Sequence, residues 1–477
     1  MKIHFFHTND VHSHFEEFLQ VTTQLRRKRE EALAAGEIAF TFEIGDNADR
    51  KRMETEGTLG RTNAALLKQI GYDAWTFGNN EGLTISADRW HALVEAAQMP
   101  LLVANLSDLK TGERLPELEP YLVLERGGIR IGVIGLTAAF VDFYKLYSIA
   151  AELPQSTLKR LLPELERERV DMVVLLSHLG LDLDRKIAAE FPEIDIIFGG
   201  HSHHILTEPE QVGRTLICQA GSYGSHYGHL SVEWDAQRRE RKSYSGGAVP
   251  RDPAEEPDHE LVELFARWQE EAADALSEVI TDLAEPLEHA LWGNSPLANV
   301  VTDRLRRLTG APIAMINGGL LMHGLIAGPV TRADMLTCCP GPNTPVVVEL
   351  TGAQILSLLQ KGLDKAYIER VGKGHGFRGH FVGGLQVSGL LVQVAQAEAG
   401  LRVVAVEHDG APLDPARHYE VAAVDYLYFS SVYEEFKQGQ AIRFELPFLR
   451  ELLASELGRS ERQDSAPRYL LQEVRGK

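Results

Sequence analysis

Residues 7–14 read HTNDVHSH, three histidines and an aspartate within eight positions, directly after the apolar opening IHFF. Imidazole and carboxylate donors at this density can hold a metal ion, or they can simply face water. Four further runs end in the same kinds of residue. FTFEIGD closes on Asp46, AWTFGNN on Asn79 and Asn80, MVVLLSH on His178, and DIIFGGHSH presents His201 and His203. Each run is apolar and strand-sized, and the carboxyl ends of strands in an α/β sheet share one edge where ligand sites form. Five such endings can therefore meet in one crevice. In DVH and HSH the spacing of two puts both donors on the same side of extended backbone, Asp10 with His12 and His201 with His203. Any one member has a plain explanation: a Gly-Asp or Gly-Asn step is a turn, and a lone histidine is a hydrogen-bonded surface group. Their joint occurrence points to a shared metal centre.

The elements that must position these residues are legible as an alternation. Strand-like runs (KIHFF, IAFTFEIG, DAWTFG, PLLVANL, IRIGVIGL, DMVVLLS, DIIFGG) are separated by FLQVTTQLRRKREEALAAG, GRTNAALLKQIG and similar stretches, apolar at helical spacing and closed by glycine. Strand, helix, strand in that order predicts an α/β layered fold with buried strands. At 477 residues and 44% hydrophobic content, the chain exceeds one ordinary core and predicts two domains. Near residue 247 the texture changes. GGAVPRDPAEEPD reads as a linker, and HELVELFARWQEEAADALSEVI as a long amphipathic helix whose acidic face disfavours anionic lipid. The expected boundaries are 1–250 for the metal-bearing domain, 251–279 for linker and interdomain helix, and 280–477 for a mixed α+β domain.

Composition excludes several classes. A formal net charge of −20 argues against a nucleic-acid polymer as partner, but not against a small phosphate ester, because bound metal reverses the local field. No apolar run reaches membrane-spanning length, and no signal-peptide core precedes the first strand, so a cytoplasmic protein without a membrane partner is expected. Cys218, Cys338 and Cys339 are too few for a disulfide framework and read as reduced thiols.

The order DxH, GD, GNx, H, GHxH resembles the signature of calcineurin-like metallophosphoesterases, and more closely that of the 5′-nucleotidase family. HTNDVHSH, EIGDN, FGNNEG, LLSHLG and FGGHSH fall in family order. NSPLANVVTDRL, GPVTRADML, ELTGAQILSLL, GLQVSGL and YEVAAVDYL resemble the family's C-terminal domain. The resemblance implies a layered metallophosphoesterase sheet fold and two divalent ions (Mn, Zn, Fe or Co) bridged by Asp46. It gives the first ion Asp10, His12 and His203, and the second Asn79, His178 and His201. His7 and His14 match no role. The implied reaction is hydrolysis of phosphate monoesters, nucleoside 5′-monophosphates foremost, by a hydroxide activated at the dimetal centre. Cyclic nucleotides, nucleotide sugars and other small phosphoesters stay open as substrates, as does a non-catalytic, metal-stabilised nucleotide-binding protein.

The chain also departs from the family. The pattern G-N-H-E-x-D reads GNNEGL at 78–83, so Asn80 and Leu83 replace a His–Asp pair that assists the reacting phosphate. Asn80 is expected to donate an amide hydrogen bond to a phosphoryl oxygen without titrating. The pattern N-x-G-G-I-R reads NGGLLM at 317–322, with Met322 in the arginine's place, and a Gly-Gly-Asp-Gly-Tyr stretch reads SSVYE at 430–434. Tyr426 and Phe381 are expected either to stack on a base or to fill the core. Residues 372–384, carrying Arg378, read as a substrate loop or a turn.

Overall fold

Side-chain alternation along the strands dictates the layers of the first half. A computed structural model gives thirteen strands up to residue 250: β1 (Lys2–Thr8), β2 (Ile38–Glu43), β3 (Ala74–Trp75), β4 (Leu106–Asp108), β5 (Tyr121–Arg126), β6 (Ile129–Thr137), β7 (Ile149–Ala151), β8 (Met172–His178), β9 (Ile196–Gly199), β10 (Glu210–Val212), β11 (Thr215–Cys218), β12 (His226–Asp235) and β13 (Glu240–Pro250). They form two main sheets, ordered β13-β12-β1-β2-β3 and β10-β11-β9-β8-β6-β5, with β4 and β7 paired to each other at the side. On β8, Met172, Val174 and Leu176 join a core with Ile3, Phe5, Phe40 and Phe42 of the other sheet. The alternate residues Val173 and Leu175 pack instead with Leu158, Leu161, Leu165 and Ile187 of two helices. Phe6 of β1 likewise turns away from Ile3 and Phe5 to pack with Phe15 and Phe18. Period-two alternation thus builds a helix, sheet, sheet, helix sandwich, the layered α/β fold expected.

The described residues are 1–374, 376–398, 400–457 and 467–471, and the chain divides into compact units Met1–Ala272 and Ala273–Lys477. The second unit has a five-stranded mixed sheet of Leu385–Ser388, Ile313–Asn317, His418–Val424, Pro345–Thr351 and Gln440–Phe444, in that spatial order. Helices Pro296–Thr309, Gly352–Lys361 and Leu449–Leu457 share its core. Ser295 caps the first of these by accepting from the Ala298 N–H, with proline at the first helical position. That is the physical content of NSPLAN.

Three local expectations differ. DAWTFG contributes only two strand residues, and PLLVANL makes isolated bridges (Leu101 to Trp75, Leu102 to Glu119) rather than a strand. The strands β12 and β13 form a hairpin, and GGAVP, which reads as linker, lies inside β13. Gly246 and Gly247 lie inside β13 at φ +116° and +150°, and a Cβ on Gly247 would sit 2.1 Å from the Thr207 carbonyl oxygen. Close backbone approach, not looseness, requires glycine there. The helix His259–Leu276 forms as expected, and its Leu261 and Phe265 are buried in the first unit's core. All three cysteines are buried and unpaired. No described helix is long and apolar enough to cross a membrane.

Phe198 sits where the two sheets meet, its ring 5.8 Å from Phe5, 6.2 Å from Phe42 and 4.8 Å from His7. Phe198→Ala should destabilise the first unit by about 3–5 kcal/mol. Leu153→Ala, at a site 62% exposed, should change it by less than about 0.5 kcal/mol. Urea unfolding followed by tryptophan fluorescence reads this, since four of the five tryptophans (Trp75, Trp90, Trp234 and Trp268) lie in that unit. Equal midpoints for the two variants would contradict this packing.

Candidate metal centre

The parallel pairing of β1 with β2 continues past both strands as a backbone zipper. The N–H groups of Asp10, His12 and Ser13 donate to the carbonyls of Gly45, Asp46 and Asn47 at 3.0, 2.8 and 2.8 Å. This sets Asp10 and Asp46 side by side at the carboxyl edge. Asn79 follows β3 and opens the helix Asn79–Thr84, His178 ends β8, and His201 and His203 follow β9. The five strand endings singled out by residue type therefore converge.

The backbone there is strained. Thirteen described non-glycine residues have positive φ, and seven belong to this region: Asp10, His12, Ser13, Asp46, His201, His203 and Tyr223. Left-handed backbone costs such residues about 1–3 kcal/mol each and persists only where surroundings over-determine it. Glycines permit the crowding. A Cβ on Gly78 would lie 2.1 Å from the Asp46 carboxylate, and one on Gly200 would lie 3.0 Å from His178 Nδ1 and 3.2 Å from Asp10 Oδ2.

Two groups of donors result. Asp10, His12 and His203 offer ligand atoms within 4.8 Å of one another, and so do Asp46, His178 and His201. The groups adjoin, because His178 Nε2 is 3.5 Å from Asp46 and 3.9 Å from Asp10, and His12 Nε2 is 3.8 Å from Asp46. The Asp10 carboxylate accepts from the His201 N–H at 3.0 Å and from Asn9 Nδ2 at 2.8 Å, and the Asp46 carboxylate accepts from the Asn80 N–H at 2.7 Å.

His178 is the most informative member. Its Nδ1 lies 2.7 Å from the Ile44 carbonyl oxygen, which can only accept, so Nδ1 carries a proton and Nε2 is the atom left to take a second proton or a metal ion. Nε2 is buried without a hydrogen-bond partner, as is Asn79 Oδ1. Lone pairs and carboxylates converging in a buried place require a cation. The electrostatics agree. Burial would lower the His178 pKa, but Asp46 and then Asp10 push it up to about 10. Burial would raise Asp46, yet His178 and then His12 hold it well below the usual carboxylate range. These donors suit a divalent ion in each group.

The remaining expected residues divide. His7 is fully buried, and burial pushes it down to about 3, so it stays neutral in the core. Asn80 differs from expectation. Its Nδ2 lies 2.9 Å from the Ala48 carbonyl and 3.0 Å from His12 Nδ1, so both amide hydrogens are engaged within the protein and none is left for a phosphoryl oxygen. Tyr426 differs too. It is buried with its ring stacked on Phe377 at 4.5 Å and 22°, whereas Phe381 contacts His380 edge-on at 4.4 Å. A base held between two rings needs them about 7 Å apart, so the Phe377–Tyr426 stack is closed to one.

Sequence reasoning gave Glu81 no role. It is buried, and its carboxylate accepts from the N–H groups of Gly78 at 2.9 Å, Asp46 at 3.0 Å and Ala48 at 2.7 Å. One side chain thereby ties the loop after β2 to the start of helix Asn79–Thr84. Burial and then the neighbouring Asp46 push it up to about 7. The signal was present in FGNNEG, an acid three residues past Gly78, the spacing of a capping box. Glu81→Gln should keep the fold by circular dichroism while weakening divalent-metal affinity about 10–100-fold, the usual effect of losing a group that orients ligands. Unchanged affinity in a metal-competition titration would remove Glu81 from that role.

Comparison with known proteins meets the same residues. The calcineurin-like phosphoesterase family matches residues 3–204, and the 5′-nucleotidase C-terminal domain matches residues 279–434. An uncharacterized metallophosphoesterase of Bacillus subtilis, YunD, is 30% identical over 459 residues, covering 96% of this chain and 99% of that protein. A 5′-nucleotidase of Vibrio vulnificus is 27% identical over 424 residues, 75% of each. Among solved structures, the Haemophilus influenzae NAD nucleotidase superposes with a TM-score of 0.70 at 16% identity, covering 99% of this chain and 100% of that one. The Thermus thermophilus 5′-nucleotidase precursor gives 0.58 at 24%, covering 99% of each. At those identities the structural agreement concerns the fold. Both domain signatures, in order, and a match along nearly the whole chain place this protein in the calcineurin-like metallophosphoesterases with a 5′-nucleotidase C-terminal domain, metal-dependent hydrolases of phosphoric esters.

Proposed function

We propose that the chain hydrolyses phosphate monoesters, nucleoside 5′-monophosphates foremost, at a centre where Asp10, His12 and His203 hold one divalent ion, Asn79, His178 and His201 hold a second, and Asp46 is shared. The observation that carries this reading is the buried, unpartnered Nε2 of His178 facing two carboxylates, its Nδ1 proton held by Ile44. When bound, two such ions supply Lewis-acid stabilisation of phosphoryl oxygens and activation of water. The donor set brings −2 from Asp10 and Asp46, against +4 from two ions, so the pocket keeps net positive charge for a phosphate dianion. The ligands do not distinguish Mn, Zn, Fe or Co.

Asn80 Nδ2 donates to the Ala48 carbonyl, so Asn80 ties the loop after β2 to the start of helix Asn79–Thr84 beside His12. Asn80 does not titrate, so leaving-group protonation has no acid at this position. Phe381, half-buried, stays a candidate for contact with a base, whereas Tyr426, in the core, does not. A second reading, another small phosphoester, is favoured by Met322, whose thioether cannot pair with phosphate as the family's arginine would. The buried, unpaired cysteines support cytoplasmic residence as part of the proposal.

Asp46→Asn should abolish double metal occupancy and lower kcat/KM by more than about 100-fold, beyond the effect of losing an orienting partner. His7→Ala should cost stability but retain both metals. Elemental analysis beside turnover checks this, and an Asp46→Asn protein with two metals and near-normal rates would end the assignment.

The leaving group provides a separate check. With chemistry rate-limiting, kcat should fall steeply as the leaving alcohol becomes more basic. Asn80→His alone should change little. Asn80→His with Leu83→Asp should raise rates for basic leaving groups by up to about 100-fold, the low end of general acid catalysis. A flat wild-type dependence would mean that another residue already protonates the leaving oxygen.

A further inference from the structure

Two exposed aromatic rings flank the ligand residues. Tyr223 is 45% exposed and Phe140 39%. The Tyr223 ring lies 5.5 Å from that of His12, 5.6 Å from His203 and 4.5 Å from His14. Phe140 lies 6.0 Å from His201, the ring beside His178 in the other donor group. Sheet order explains the placement. Strands β11, β9, β8 and β6 run side by side and parallel. The inner pair, β9 and β8, leads into His201, His203 and His178, and the outer pair leads into the loops that carry Tyr223 and Phe140. Thr137, the last residue of β6, is in register with His178. The histidines therefore lie in a row with an aromatic loop on each side.

A single exposed aromatic is ordinary. Tyr223 is not, because its φ of +59° is an outlier for a bulky side chain, and it stands between Gly221 and Gly224, themselves at +74° and +64°. The loop is fastened in place. The Tyr223 N–H donates to the Asp10 carbonyl at 2.8 Å, Asn9 Nδ2 donates to the Gly221 carbonyl at 2.7 Å, and the Ala220 N–H donates to Asn9 Oδ1 at 3.0 Å. Gln219 Nε2 donates to the Gly200 carbonyl at 2.7 Å, and its Oε1 accepts from the His204 N–H at 2.8 Å. Glycine would adopt this backbone without strain. A strained residue that is still nearly half exposed, its ring against polar imidazoles and not the apolar core, gains little core burial in return, so core packing does not account for tyrosine here.

We propose that Tyr223 and Phe140 are specificity walls: they hold the organic group of the phosphoester, an aryl or nucleoside ring, beside the metal ligands. The inference rests on the reading of the centre as a phosphoester site. Aromatic faces on a fixed loop bind a planar group by stacking at small entropic cost.

The test separates recognition of the ring from recognition of phosphate, and both from turnover. Phenylphosphonate and methylphosphonate are titrated calorimetrically into the full-length, manganese-loaded protein, with metal content measured in each variant. The wild type should prefer phenylphosphonate by about 10-fold or more, the scale on which a stacking ring acts. Tyr223→Ala and Phe140→Ala should each erase much of that preference while leaving methylphosphonate affinity and metal content in place, and Tyr223→Phe should retain it. Persistence of the preference in both alanine variants would overturn the proposal. So would equal weakening of both phosphonates, which marks a ring that merely supports the ligands. Phe140→Ala lies on a different loop, so the inference stays testable if Tyr223→Ala does not fold. Hydrolysis of phenyl phosphate by the same wild-type preparation is scored separately. A preference for phenylphosphonate without turnover would sink the proposed function and leave the walls standing.

Discussion

Two carboxylates, Asp10 and Asp46, lie buried at one edge of the sandwich, and most of the local architecture follows from satisfying them. Burying charge is costly unless it is paired. Here the pairing comes partly from backbone N–H groups, His201 to Asp10 and Asn80 to Asp46, and partly from imidazoles. The demand for positive charge shows in His178, pushed up to about 10 despite its burial. A proton on Nε2 meets that demand, and so does a metal ion at the same atom. The chemistry of the centre and its electrostatic stability are thus one requirement.

Meeting it dictates the surrounding backbone. The donors must leave parallel strands and turn inward within a few residues, which forces left-handed conformations at Asp10, His12, Asp46, His201 and His203. Such conformations hold only under many constraints. The zipper between the loops after β1 and β2, the three hydrogen bonds to Glu81, and the crowding at Gly78 and Gly200 supply them. Rigidity so obtained keeps donors in place before an ion arrives, which favours binding.

The same constraints decide which elements are legible in the sequence. Strands β1, β2, β8 and β9 were legible because they are buried on both faces and read as apolar runs, and the donors were legible because they end those runs. Glu81 carried a spacing signal but no ligand chemistry of its own. The hairpin β12–β13 was hidden by Gly246 and Gly247, which look like a linker when the closely approaching backbone is out of view. Asn80 could be seen to replace a histidine, but its attachment to His12 and Ala48 depends on a neighbour 68 positions away. Pairing in the second unit was least legible, since Phe381 lies nearer to GLQVSGL than Phe377 does, yet the fold sets Phe377 against Tyr426.

Two adjoining donor groups that share Asp46 should hold two ions. Anomalous diffraction from crystals soaked in manganese measures this most directly. The account predicts two peaks about 3.5–4 Å apart, one within reach of Asp10, His12 and His203 and the other of Asn79, His178 and His201, with the Asp46 carboxylate between them. A single peak, or peaks that leave Asp46 uncoordinated, would contradict it.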